Sequence, residues 1–217
     1  MFNGIIKHTG KIYKINKKNK NCYIRVSSNL KFTQKEIGSS ISWCGVCLTL
    51  ETFNGNKCTF YLSYETIKRS NFKILKKGNF INLEKSIRYG DRISGHFVQG
   101  HVDITSTVKK ISVIGKSWFI SFYLPYKFRK LVVAKGSISI NGVSLTISKI
   151  LKNGIEIVVI PKTLKLTNLI YLKEKDLVNI EFDVLGKYIN SSLKKKDLVN
   201  VEFDVLGKYI NSSLKKF

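Results

Sequence analysis

Residues 136–147, GSISINGVSLTI, decide the fold. Ile138 and Ile140 alternate with Ser137 and Ser139. Beyond Asn141-Gly142 the alternation resumes, with Val143, Leu145 and Ile147 on one face and Ser144 and Thr146 on the other. Asn-Gly tolerates the positive φ angles of a tight turn, so period-two patterning on both sides of it predicts a half-buried β-hairpin. The pattern occurs earlier, in residues 38–50, GSSISWCGVCLTL, where GVCLT at 45–49 matches GVSLT at 142–146 at an offset of 97 residues.

Other anchors keep that spacing. Thr66 and Asn71 answer to Thr163 and Asn168, and Asn82-Leu83-Glu84 to Asn179-Ile180-Glu181, while Gly4 and Gly100 are 96 apart. The chain therefore reads as two copies of one small β domain. Short strands separated by Gly and Asn turns favour closed barrels, which leave no exposed edge. The expected division is residues 1–97 for the first barrel with its linker and 98–183 for the second. A terminal helix over 184–195 and a tail over 196–217 follow. Within the first copy the pattern predicts an opening strand, a turn at Thr9-Gly10 with His8 on the surface, and strands around Cys22–Val26 and Cys58–Tyr64.

The helix is expected from the spacing of Val184, Leu185, Tyr188, Ile189 and Leu193, with Asp183 placed to cap it and Lys194–Lys196 suited to its C-terminal end. Residues 176–196 then recur as 197–217 with 19 of 21 positions identical. Only the first copy keeps the barrel register, so the second reads as an appended tail.

At 217 residues and 43% hydrophobic content the chain is long enough for two packed cores. Nothing approaches the ~18 consecutive apolar residues of a membrane span, and Met1–Thr9 lacks a basic start followed by a long apolar run. A cytoplasmic protein without membrane contact is expected. Its four cysteines, Cys22, Cys44, Cys47 and Cys58, are expected to be free thiols in that compartment. The net charge of +24 suggests nucleic acid, but Arg supplies only five of the 38 basic residues and the lysines are scattered. Base readout and stacking favour Arg. No basic–aromatic platform for single strands is present, and an A+T-rich coding sequence alone produces such a lysine excess. No nucleic-acid partner is expected.

Filling the barrels with the apolar hairpin faces turns Cys47 and Thr49 outward in one copy and Ser144 and Thr146 in the other. Serine and threonine suit any solvated sheet face. A reactive cysteine on such a face is less ordinary and points to a ligand site. Cys44-x-x-Cys47 has no second pair to complete a zinc site, so no metal is expected. In residues 95–101, GHFVQGH, the two histidines five apart would face opposite sides of a strand, and either could titrate near neutrality.

Together MFNGII, GVCLT, SGHFVQGHVD, NGVSLT, IPKTLKLTNL and VNIEFDVLGKYI resemble the trimeric α-chain riboflavin synthases, in order and spacing, to about residue 193. The resemblance implies an all-β protein of two tandem six-stranded barrels with a C-terminal α-helix, assembled as a homotrimer. It implies a transferase in which two molecules of 6,7-dimethyl-8-ribityllumazine exchange a four-carbon unit between subunits, without a cofactor. The implied products are riboflavin and 5-amino-6-(D-ribitylamino)uracil.

Carried over by motif, one substrate site would be lined by Gly4, Ile5, Ile6 and Lys135, by Ser144, Leu145 and Thr146, and by Val158, Val159, Ile160, Pro161, Lys162 and Thr163. The other would take Cys47, Leu48 and Thr49, then Tyr61, Leu62, Ser63, Tyr64, Glu65 and Thr66, then His101, Val102 and Asp103. His101 would move the proton and Cys47 would be nucleophile or donor, with Ser144, Thr146 and Thr49 as further catalytic candidates. Phe2, Ser40 and Asp183 stand behind them. Cys44 departs from the family's Asn before the hairpin Gly, Trp43 is bulky, and Lys162 replaces a usual His or Glu. A non-catalytic lumazine- or flavin-binding protein of the same superfamily is the alternative; Cys47, His101 and both polar hairpins favour the enzyme.

Overall fold

A computed structural model describes residues 1–18 and 21–192. The first copy supplies β1 (His8–Lys18), β2 (Asn21–Ser28), β3 (Ser40–Trp43), β4 (Val46–Asn54), β5 (Lys57–Leu62) and β6 (Phe80–Lys85). The second supplies β7 (Ile104–Ile114), β8 (Ser117–Tyr123), β9 (Ser137–Ile140), β10 (Val143–Leu151), β11 (Gly154–Val159) and β12 (Leu177–Phe182). Each set closes into an antiparallel barrel, in the order β1-β2-β5-β4-β3-β6 and the equivalent order in the second. The expected all-β tandem is the observed fold.

The patterned hairpins close the barrels. Ser42 pairs with Cys47 and Ser40 with Thr49, as Ser139 pairs with Ser144 and Ser137 with Thr146. Val46, Leu48 and Leu50 enter the first core around Trp43; Ile138, Ile140 and Ile147 enter the second around Phe122 and Phe182. Trp43 is fully buried, edge-on to Phe60 at 4.3 Å between centroids, which accommodates its bulk. Register shifts at Ile12/Lys14 and Leu50/Thr52 recur at Val108/Lys110 and Ile147/Lys149, bending equivalent strands in both barrels.

Several local expectations are corrected. Thr9-Gly10 is no turn: both lie inside β1, where a Cβ on Gly10 would meet Val26 at 2.4 Å, so glycine serves the packing. His8 is accordingly half-buried in that strand. The strand expected to reach Tyr64 stops at Leu62, because Ser63 accepts a hydrogen bond from the Thr66 amide (3.1 Å) and caps α1 (Tyr64–Arg69). Its counterpart is α2 (Pro161–Leu166), with proline in its first turn. Residues 96–101 form no strand beyond the single bridge between Phe2 and Val98. The terminal helix, α3 (Val184–Ser192), begins where Asp183 Oδ1 accepts from the Leu185 amide at 3.0 Å. Residues 193–195 of that expectation and the duplicated tail lie outside the described residues. No helix among the described residues is long and apolar enough to cross a membrane.

The barrels meet across an approximate two-fold axis, hairpin tip against hairpin tip, with a Cβ on Gly45 lying 2.8 Å from the Gly142 nitrogen. Asparagines, all buried but the half-buried Asn168, bond reciprocally around that contact. The Asn71 amide donates to Asn179 Oδ1 (2.7 Å) and the Asn168 amide to Asn82 Oδ1 (2.6 Å); Asn82 Nδ2 reaches the Asn141 carbonyl and Asn179 Nδ2 the Cys44 carbonyl, both at 2.9 Å. Asn141 Oδ1 also accepts from the Asn179 amide (2.9 Å), and the equivalent acceptor in the first barrel is Cys44 Sγ, 3.3 Å from the Asn82 amide. Cys44 and Asn141 share positive φ angles of 44° and 47°. Burial pushes the Cys44 thiol up to about 12, so it stays neutral. Sulfur is a weak acceptor. Cys44→Asn is therefore expected to raise stability by about 1 kcal/mol, and Cys44→Ala to lower it; urea unfolding midpoints with unchanged slope check both.

Candidate active site

Each barrel is preceded by a short segment that crosses to the other barrel. Ile6 enters the second core although its strand belongs to the first, and Val102 packs against the first core although its strand belongs to the second. The segments touch where Phe2 and Val98 exchange backbone hydrogen bonds of 2.7 and 3.0 Å. The Gly4 carbonyl then accepts from the Ser144 amide, and the Gly100 carbonyl from the Cys47 amide, both at 2.8 Å. Only glycine fits either position. Both have positive φ, and a Cβ would lie 2.7 Å from Ser144 or Cys47.

Two carboxylates hold these segments. Glu84 accepts from the Asn3 and Gly4 amides at 2.9 and 3.0 Å. Glu181, 2% exposed, accepts from Gln99, Gly100 and His101 at 2.6, 2.9 and 3.0 Å. Burial raises both acids to about 7, outweighing the amide donors that favour the charged form.

The crossings build two related faces. The first carries Cys47, half-buried, and Thr49, exposed, beside the exposed His101. The second carries Ser144, half-buried, and Thr146, exposed, beside Gly4 and Ile5. His96, which the sequence reading left out of the site, belongs to the second face: its Nδ1 lies 2.7 Å from Ser144 Oγ. Burial holds this imidazole below its ordinary pKa against the attraction of Asp183, so it is neutral at pH 7. A strand over residues 96–101 would have turned it away from Ser144. The available signal was the preceding glycine, whose Cβ would sit 2.1 Å from the Asn3 carbonyl oxygen.

The remaining candidates divide by burial. The side chains of Leu48, Leu62 and Val159 are in the cores and Phe2 is fully buried, leaving only their backbones for a ligand. Leu145 packs against the second core. Tyr61, Ser63, Thr66, Val158 and Thr163 are partly exposed at the edges of the faces; Tyr64, Ile160, Pro161 and Lys162 are exposed. Glu65 pairs with Arg69, which lowers its pKa. Lys135 is exposed at a positive φ of 66°, its amide donating to the Ile147 carbonyl. Asp103 is engaged by the Phe182 amide and by Lys187 at 2.7 Å, so it ties α3 to the barrel. Ser40 is half-buried opposite Thr49. Ser42 and Ser139, buried under the two faces, have hydroxyls without a hydrogen-bond partner. Among the described residues no group of His, Cys, Asp and Glu could hold a metal.

Two closed barrels, each with a hydrogen-bonding outer face crossed by the leading segment of the other, define a tandem lumazine-binding protein: the model of the lumazine binding domain matches residues 3–86 and 99–183. Riboflavin synthase of Actinobacillus pleuropneumoniae is 35% identical over 193 residues, 89% of this chain and 90% of that one. Those of Photobacterium leiognathi and Bacillus subtilis (strain 168) are 37% and 34% identical over 190 and 192 residues, each covering 87% of this chain and 87% and 88% of theirs. The chain belongs to the riboflavin synthase family. Among solved structures, LumP complexed with riboflavin matches with a TM-score of 0.74 at 26% identity, over 84% of this chain and 99% of that one. LumP complexed with 6,7-dimethyl-8-(1'-D-ribityl) lumazine matches at 0.72 and 25%, over 83% and 98%.

The two carboxylates give the fold a pH dependence. A carboxyl raised above its unfolded value binds more protons folded than unfolded, so its contribution is full below about pH 4.5 and is lost as pH rises to about 7. Wild-type stability relative to Glu181→Gln is expected to fall across that window, measured as urea midpoints from pH 4.5 to 8.

Proposed function

We propose that the chain takes two molecules of 6,7-dimethyl-8-ribityllumazine and transfers a four-carbon unit from one to the other. It is an enzyme of the riboflavin synthase family, and riboflavin is its product. The second product is 5-amino-6-(D-ribitylamino)uracil. Atoms balance with no outside oxidant, because the unit leaves one lumazine and completes the new ring on the other. The observation that carries this reading is the pair of related faces centred on Cys47 and Ser144, each framed by a crossing segment. A reaction between two copies of one compound needs two related sites.

His101 takes a proton from the acidic 7-methyl group of one lumazine; its ring is exposed while its backbone is fixed by Glu181. Ser144, whose Oγ lies 2.7 Å from Nδ1 of the neutral His96, adds to the partner ring or donates to it. Cys47 does the corresponding work on the first face. Thr49 and Thr146, one strand pair further along, hold the pyrimidine or ribityl groups. Juxtaposing the two rings is worth roughly 7–11 kcal/mol of barrier, enough to make positioning the main source of rate. The two faces of one chain lie on separate barrels, which supports a site shared between neighbouring subunits of a cytoplasmic homotrimer. Each barrel copy, residues 1–97 and 98–183, acts as one binding domain, and residues 184–195 join the assembly.

Incubation with the lumazine alone is expected to yield riboflavin, followed by its absorbance and fluorescence. His101→Ala is expected to lower kcat about 10²–10⁴-fold. Ser144→Ala is expected to lower kcat while lumazine still binds. The likeness to LumP supports a second reading, a binder without turnover. Lumazine bound by a monomer without riboflavin formation would establish that reading instead.

A further inference from the structure

The first barrel has a cavity of about 490 Å³ on the side where its chain leaves for the second, bounded by β6 and the linker after it. It shares Ile5 with the second polar face, but neither Cys47 nor Ser144 lines it. Ile5, Leu30, Leu83 and Ile87 form an apolar wall, and Lys7, Lys85, Arg88 and Arg92 bring four cations to it against Glu84 and Asp91. Lys85 is neutralised by Glu36 at 2.5 Å. Among the described residues Lys7, Arg88 and Arg92 make no ion pair, and all three are exposed at its mouth. The Asp91 carboxylate accepts from the Arg88 amide at 2.8 Å, which closes the turn carrying both arginines. His8, also in the lining, has its pKa lowered, first by burial and then by Lys85 and Lys7.

The internal repeat shows that this corner is not simply inherited. The counterpart of Lys7 is Asp103, as the pairings of His8 with Leu83 and of Ile104 with Ile180 establish. There α3 lies against the barrel and Lys187 pairs with Asp103. In the first barrel the charge is reversed, the chain after β6 runs on as an irregular linker, and the corner stays open.

We propose that this cavity binds a small phosphorylated organic molecule, its phosphate between Lys7, Arg88 and Arg92 and its body against the apolar wall. Arginine forks match phosphate oxygens two at a time. The volume falls within the roughly 300–1,000 Å³ of small-molecule sites and exceeds what a bare phosphate fills. Asn3 and Ile5 line the cavity and flank Gly4, so an occupant touches the segment that holds the Ser144 backbone.

The test titrates the full chain at low ionic strength with phenyl phosphate, inorganic phosphate and phenol, by calorimetry and by NMR of the His8 imidazole. Phenyl phosphate is expected to saturate one site per chain, to bind more tightly than inorganic phosphate, and to raise the His8 pKa; phenol is expected not to bind. Arg88→Ser with Arg92→Ser is expected to cost about tenfold or more in affinity and to leave riboflavin formation unchanged. Lys109→Ser with Lys110→Ser, which removes the same charge from an exposed part of β7, is expected to cost little. Equal losses in the two double variants, or binding that never saturates, would reduce the attraction to the overall charge of +24 and overturn the proposal. Displacement of phenyl phosphate by the lumazine would overturn it too, by placing the ester on the polar faces. Should the arginine variant fail to fold, Lys7→Gln makes the same comparison: a weakened one-site titration supports the site and an unchanged one removes it. Loss of lumazine turnover in the wild type would bear on the proposed function and leave this titration intact.

Discussion

Glu84 and Glu181 each bind the backbone of a segment that has crossed from its own barrel to the other, and the two polar faces exist because of it. A backbone amide left unpaired in a buried crossing costs about 1–3 kcal/mol. The segments carry at least five such amides between them, all satisfied by the two carboxylates. In return the crossing places Gly4 on Ser144 and Gly100 on Cys47, close enough for a 2.8 Å hydrogen bond in each case. Neither barrel can complete its own outer face. Each is framed by the segment that leads into the other.

The asparagine network gives that arrangement its rigidity. Every donor named in one barrel has its partner in the other at nearly the same distance, and the set lies around the contact of Gly45 with Gly142, buried except for the half-buried Asn168. Buried polar networks specify geometry strongly when satisfied. A rotation of one barrel against the other would break several of these bonds at once, and it would also shear the Phe2–Val98 bridge. Within this network, Cys44 breaks the symmetry of the chemistry while keeping that of the backbone.

The barrels were legible in the sequence because period-two alternation on both sides of a glycine turn is a local signal, and its recurrence 97 residues later is strong. Both hairpins formed with the expected faces, and Cys47, Thr49, Ser144 and Thr146 point outward as the alternation requires. The crossing of the leading segments was not legible. It joins Gly4 to Ser144, which are far apart in the chain and share no pattern. Its only trace was the change of offset from 97 to 96 before the first strand of each copy. Tyr64 was assigned to a strand because a capping serine stops a strand without altering its apolar pattern, and α1 is too short to show a period of its own. His96 was missed for the related reason that an irregular, backbone-pinned segment can turn two nearby histidines to unrelated surroundings, one buried and one exposed.

A reaction between two identical molecules still needs unlike roles for them, one losing the four-carbon unit and one receiving it. The substrate supplies no asymmetry, so the protein must. Under the proposed function, two positions of the repeat supply it. His101 corresponds to Ile5 in the register of the crossing segments, so one face has an imidazole where the other has a hydrocarbon. Cys47 corresponds to Ser144, a softer and more polarisable group against a hydroxyl that has a histidine behind it. The glycine contacts and the carboxylate clamps are kept in both copies. Under the proposed function, the differences at His101 and Ile5 and at Cys47 and Ser144 fall on side chains beside the reacting atoms. That distribution fits a duplicated binding domain whose copies have been given different chemical tasks, and it fits less well a protein that needs only to hold one chromophore.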